Sequence, residues 1–232
     1  MLNLAFSTVA GNASPSTGSN LHIFAGGTVN VTASLVVNGQ GAANCGGDPL
    51  NSVSTSLIDE NVGATCAAVT EDIAARTRLG PLTDDGGPTL THALFEGHPA
   101  IEAAGSACQN DDHRRVSRPV DGDNTILAEC DIGAFEFIDS DFDGVIDVYE
   151  TNNGLDPNDA NAPNGGDDLD MDGVTNQNEF EGGLAANNRD SDGDILGDAV
   201  DNDPSNASNA CIQDGMGDAQ FNFTAMSGTV TQ

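Results

Sequence analysis

The segment 139–150 constrains this chain more than any other. It reads Asp139-Ser140-Asp141-Phe142-Asp143-Gly144-Val145-Ile146-Asp147-Val148-Tyr149-Glu150, with acids at positions one, three, five, nine and twelve and glycine at six. Two later segments fall in the same register. The second carries Asp168, Asp170, Asp172 and Gly173, then Asn176 at position nine and Glu179 at twelve. The third carries Asp190, Asp192, Asp194, Asp198 and Asp201, followed by Asp203, with Ile195 in the glycine position. Segment 139–203 holds 19 acids against Arg189 alone, a local net charge of −18. Unneutralised, that charge opposes compaction and favours an expanded chain. The regular spacing argues instead for a counter-charge held at fixed points.

The spacing has a mechanical reason. Calcium takes about six to eight oxygens without strict geometry, and alternate side chains of a tightly curled loop converge on one point. Glycine at six permits the bend, residue seven offers a backbone carbonyl, and a Glu at twelve chelates with both oxygens. The expected ligands are Asp139, Asp141, Asp143, Val145 (carbonyl), Asp147 and Glu150 in the first loop. In the second they are Asp168, Asp170, Asp172, Val174 (carbonyl), Asn176 and Glu179. In the third they are Asp190, Asp192, Asp194, Asp198, Asp201 and Asp203. Magnesium suits such a crowded cage less well, because it holds its water and prefers a strict octahedron. These loops have the spacing of EF-hand loops, yet the flanks lack the paired helices. Residues 130–138 read as strand, and Asn152-Asn153-Gly154 with Asp156-Pro157 predict that any exiting helix stops within about a turn. The apolar residues of this half, such as Ile146, Tyr149 and Phe180, are too few for a core of its own, so metal is expected to supply the folding energy.

Outside this half the composition is different. Trp is absent and Tyr occurs once, while Gly, Asn, Ser, Thr and Val dominate. That mixture favours short strands and turns. Segments beginning at Leu4, Val31 and Val53 repeat one pattern of alternating apolar and polar residues closed by Asn12, Asn38 and Asn61. Such repeats predict a solenoid, each coil burying its face on the next, with the asparagines at left-handed corners.

The whole chain has 37 acids against six bases, a net charge of −31, and no lysine. This excludes nucleic acid and anionic membrane as partners, since both need basic patches. No stretch is long enough to span a membrane. Five cysteines occur without a Cys-x-x-Cys pair or zinc spacing. Local disulfides Cys45–Cys66 and Cys108–Cys130 are expected. Each closes a loop of about 20 residues and stabilises by roughly 3 kcal/mol in the chain-entropy view. Cys211 remains over. Met1-Leu2-Asn3-Leu4-Ala5-Phe6 lacks a basic leader, so disulfides here predict further sequence upstream.

Several motifs resemble known families. Ser7-Thr8-Val9-Ala10-Gly11-Asn12 and the segment from Gly26 to Asn38 resemble coils of bacterial right-handed parallel β-helix surface proteins of the polymorphic outer-membrane group. The blocks starting at Leu79, Pro99 and Arg118, with Cys130-Asp131-Ile132-Gly133-Ala134-Phe135-Glu136, resemble the closing segment of choice-of-anchor Q proteins. His98 and His113-Arg114-Arg115 depart from that pattern. The acidic loops resemble bacterial thrombospondin type 3 repeats, with Asp203 where that family has a cysteine.

The resemblance implies an all-β fold: parallel β-helix coils over 1–78, a cap over 79–138 covering the open strand edge, calcium repeats over 139–204, and a linker or further unit over 205–232. It implies a non-enzymatic, extracellular or cell-surface bacterial protein, in which calcium stiffens a spacer that presents the β-helix to surface glycans or proteins. Two other readings remain open. One is the end of a β-helix polysaccharide lyase or hydrolase, with Asp84, Asp85, Asp111, Asp112, His92, His98, His113 and Arg114 as the candidates to examine. The other is a dockerin-like docking module, which needs an apolar helix after each loop.

Overall fold

The computed structural model describes residues 1–15, 18–40, 43–58, 78–106, 108–122, 127–160 and 167–207. Cys66, Asn61, Cys211 and most of 205–232 lie outside these.

The amino-terminal part consists of short strands in three parallel sheets. The chain visits the sheets in turn: β1 (Leu2–Ala5), β2 (Thr8–Ala10), β3 (Leu21–Ile23), then β4 (Val29–Thr32), β5 (Leu35–Val37), β6 (Cys45–Gly47), then β7 (Ser52–Ser54) and β8 (Leu57–Ile58). The sheets have the orders β1-β4-β7, β2-β5-β8 and β3-β6. Leu4 pairs with Val31 and Val31 with Val53, so the sequence repeat and the hydrogen-bonded register are the same thing. Val29, Val31, Val36, Cys45 and Ile58 stack into one core with Leu21 and Ile23.

The corners explain why the coils superpose. Phe6, Ala33 and Thr55 all adopt φ between 45° and 47°, and each is followed by serine. The hydroxyls of Ser7, Ser34 and Ser56 bond back to the carbonyls of Ala5, Thr32 and Ser54 at 2.8–2.9 Å. Each coil's serine amide then reaches the next serine's oxygen, Ser7 to Ser34 and Ser34 to Ser56, both at 3.1 Å. A hydroxyl ladder therefore stabilises three non-glycine residues in a conformation L-residues disfavour. At the second corner Asn38 is left-handed as expected, whereas the first coil uses Gly11 beside Asn12.

Residues 79–138 form an antiparallel hairpin, β9 (Leu79–Thr83) with β10 (Thr91–Leu94), followed by irregular chain. Segment 130–138 is not a strand. Its only pairing is an isolated bridge between Cys130 and Gly105, because Gly133 (φ 108°) turns the chain. This region meets the parallel sheets at β2 and at the corner before β5. Gly133 N–H donates to the Ala33 carbonyl at 2.9 Å and Ala134 N–H to Thr8 Oγ1 at 3.1 Å. Leu35 leaves the core of the parallel sheets and clusters with Phe135, Phe137 and Leu94. The Cys108–Cys130 disulfide is present, and Cys45 is disulfide-bonded.

Two short helices follow, α1 (Asp147–Asn153) and α2 (Asn176–Gly182), each closed by a left-handed glycine, Gly154 or Gly183. The first ends at Gly154, within about a turn of Glu150, as the sequence predicted. The acidic half also shares a core. Val145, Ile146 and Phe180 are buried in the same cluster as Leu94, Ile132 and Phe135. Among the described residues no helix is long and apolar enough to cross a membrane.

Candidate metal centre

The three acidic segments adopt one structure. In each, the carboxylate at position one folds the loop by accepting its own backbone amides. Asp139 accepts from Phe142, Asp143 and Gly144 at 2.7, 3.3 and 2.9 Å. Asp168 accepts from Asp172 and Gly173 at 3.1 and 2.8 Å. Asp190 accepts from Gly193, Asp194 and Ile195 at 2.8, 3.1 and 2.9 Å. Two left-handed residues make this curl possible, one at position four (Phe142, Met171, Gly193) and one at six (Gly144, Gly173, Ile195). The third loop has thus placed its glycine at four and an isoleucine, φ 88°, at six.

Convergence follows. Asp139, Asp141 and Asp143 each offer an oxygen within 4.8 Å of the others, as do Asp168, Asp170 and Asp172, and Asp190, Asp192 and Asp194. Each triplet is able to hold a metal ion. A buried carboxylate oxygen without a donor is costly. Such oxygens gather here: both of Asp141, both of Glu179, and one each of Glu150, Asp170, Asp172, Asp192, Asp194 and Asp201. Glu150 and Glu179 are fully buried, at 1% and 0% exposure, on the first turns of α1 and α2. Desolvation, with repulsion from Asp141 and Asp143, raises the Glu150 carboxyl to about 8. Desolvation and repulsion from Asp170 and Asp172 raise Glu179 to about 7, and desolvation raises Asp139 to about 6. The donor set is all oxygen and hard, as group-two cations require. The residues therefore fit a divalent cation.

Position nine has a different task. Asp147 accepts from the amide and hydroxyl of Ser140 at 2.7 and 2.6 Å, and Asp198 does the same for Ser191 at 2.9 and 2.6 Å. Asn176 accepts from Leu169 N–H at 3.0 Å. These residues lock the loop's entry to its exit, and any contact they make with an ion fits a bridging water. Asp203 accepts from Ser205 and Asn206, both at 3.1 Å, in the turn beyond the third loop. Val145 places its side chain in the shared core, which fixes the bend at position seven from behind. Arg189, which sequence reasoning left unassigned, donates from Nε and Nη2 to the carbonyls of Asp170 and Met171. Its own carbonyl accepts from Asp198 N–H at 2.8 Å, so it joins the second loop to the third. Ser at position two with Asp at nine was the available signal for the entry lock.

The acids and histidines considered for catalysis are engaged in structure. Asp112, buried at 8% exposure, pairs with Arg114 at 2.8 Å and accepts from the amides of Arg114, Val116 and Glu136. His98 accepts from Ala100 N–H at 3.0 Å. His92 and His113 bond to the Gly80 carbonyl and Thr89 hydroxyl at 2.8 and 2.7 Å. Arg118 is buried, 3.1 Å from Glu136, and donates to the carbonyls of Asp131 and Gly133. No known family model, curated protein or solved structure matches this chain.

Proposed function

We propose that this is a non-enzymatic, calcium-binding extracellular protein of the bacterial surface type. In this reading a right-handed parallel β-helix carries three thrombospondin type 3-like loops that calcium folds onto its flank. One observation carries the calcium reading: the buried, donorless carboxylates of Glu150 and Glu179, each beside an aspartate triplet. A bound cation of high coordination number satisfies so many oxygens together. The coil reading is supported by three parallel ladders visited in order, with successive coils offset by 27 and then 22 residues. The disulfides favour an oxidising compartment. The spacer role takes a modified form, since Phe180 and Ile146 lie in the cap's core. Calcium then sets how the acidic half is seated, and the β-helix surface is left to meet glycans or proteins.

Tyr149, the single tyrosine, stands next to Glu150 and serves as a built-in antenna. Terbium added to the full chain should give saturable, tyrosine-sensitised emission that calcium displaces and magnesium displaces poorly. Chelation should increase the hydrodynamic radius and change the far-ultraviolet circular dichroism, and calcium should restore both. Absence of saturable emission, with a radius indifferent to chelator, would overturn the reading.

A further inference from the structure

Where the hairpin β9–β10 meets the first and second loops there is a cavity of about 240 Å³ that no metal ligand lines. One wall is hairpin, with Asp84 and Asp85 at its turn; the other comes from the loop units, with Tyr149, Asn153 and Ser191; Phe95 forms part of the apolar side. Among the described lining residues there is no Lys, Arg or His. Its polar groups are mainly acceptors. Asp85 accepts from Thr83 and Thr91 at 3.1 and 2.6 Å, which fixes its carboxylate, and Asp84 accepts from Gly86 N–H at 3.1 Å, which fixes the other. The Tyr149 hydroxyl is engaged with Leu184 and Ala186 at 3.0 and 3.1 Å, so that residue offers its ring rather than its oxygen. Phe95 and Tyr149 both lean on Phe180, with ring centroids 5.0 and 5.1 Å away, and this holds the apolar wall rigid.

Two fixed carboxylates and aromatic rings, with no base in the lining and Arg114 reaching Asp85 from outside it, describe a receptor for an organic cation. We propose that this cavity binds an alkylammonium group, its apolar stem against the rings and its charge beside Asp84 and Asp85. The volume suits a lysyl side chain or a small amine, and an anion or a bare hydrocarbon is disfavoured by the local charge. None of these 232 residues is a lysine that could fill it. Two sources share this chemistry, a lysine on a partner protein and a free amine or amino sugar. The inference rests on the calcium reading in one respect: half the cavity wall belongs to the metal loops.

The test uses the full chain saturated with calcium. Binding of n-butylammonium, Nα-acetyl-lysine amide and glucosamine is measured by chemical-shift titration, with 1-butanol and Nα-acetyl-norleucine amide as neutral isosteres. The ammonium probes should bind saturably and the isosteres at least about fivefold more weakly, the size expected for a partly exposed charge pair. Asp84→Asn should weaken the ammonium probes by a similar factor and leave calcium-displaceable terbium emission unchanged. Preference for the lysine derivative assigns the protein source, and preference for glucosamine assigns the small-molecule source. Equal binding of probe and isostere, or no effect of both D84N and the D84N/D85N pair, overturns the proposal. Terbium emission in the same samples reports separately on the calcium reading: emission without ammonium binding removes the pocket alone.

Discussion

Ile195 is the residue at which this sequence departs most from its own pattern. Gly144 and Gly173 hold φ of 95° and 106°, and Ile195 holds 88° with a β-branched side chain that is 92% exposed. Left-handed backbone costs an L-residue roughly 1–2 kcal/mol, and glycine at the site forfeits part of that gain through its freer unfolded chain. Ile195→Gly should therefore tighten the third ion by about 1 kcal/mol, roughly fivefold. Terbium titration of the variant checks this, and an unchanged or weakened third phase would remove strain as the reason. Arg118 poses the opposite case. Its guanidinium is buried against Glu136 and two carbonyls, and it stands 5.3 Å from the Phe6 ring across the β2 corner. Arg118→Met leaves Glu136 buried beside Asp131, itself pushed up to about 8 by desolvation and by Glu136. The expected loss is about 3–5 kcal/mol, read as a lower thermal midpoint. A second substitution, Glu136→Gln, should return part of it, because it removes the charge left without a partner.

The loop-helix unit is the element on which the candidate site is built, and its proton balance is specific. In the metal-free fold Glu150 titrates near 8 against an ordinary 4.5, so between those values the folded unit binds more protons than the unfolded chain. Stability of the metal-free unit therefore falls as pH rises through that window. An arriving cation displaces the same protons, so calcium affinity should climb over the window and proton release should appear near pH 7. Calorimetry in buffers of different ionisation enthalpy measures the release, and Glu150→Gln should lose its upper part together with much of the first site's affinity. Equal heats in all buffers would show that these carboxylates are already ionised. Acid spacing alone pointed to this element, because chelation demands residue type at fixed intervals. The stop of α1 was legible as well, because the run Asn152-Asn153-Gly154 ends it at a left-handed glycine. Position nine carries a second task that spacing did not show. Sequence spacing ranks Asp147 with the ligands, and the fold adds that its two oxygens accept from the Ser140 amide and hydroxyl.

Across the whole molecule, the register of the parallel sheets was open to sequence reading and the docking was not. Alternation repeated at Leu4, Val31 and Val53 because each must sit on the last, a constraint written in residue type. Leu35 and Val36 look alike in sequence, yet Val36 enters the core between the parallel sheets and Leu35 the shared one. That split depends on residues nearly a hundred positions away, such as Phe135. The same long reach places Phe180 between Phe95 of the hairpin and Tyr149 of the first loop. Glu179 precedes Phe180 on α2, so one helix turn carries both a proposed ion ligand and a core anchor. Ion binding and docking are then linked, and each favours the other by the same free energy. Phe180→Ala should cost about 3–5 kcal/mol in calcium, as for other buried aromatic truncations. It should also weaken the second site although no ligand is changed. Conversely, chelation of the unaltered protein should lower the melting transition of the hairpin and cap, not merely loosen the acidic half. At calcium a hundredfold above its dissociation constant, each ion contributes about 2.7 kcal/mol to that transition. Hydrogen exchange at the amides of Phe95 and His98 reports on the cap directly. Their protection should fall on chelation and fall likewise in Phe180→Ala with calcium present. Protection that survives both would mean that the cap holds its shape alone and that the acidic half only leans against it.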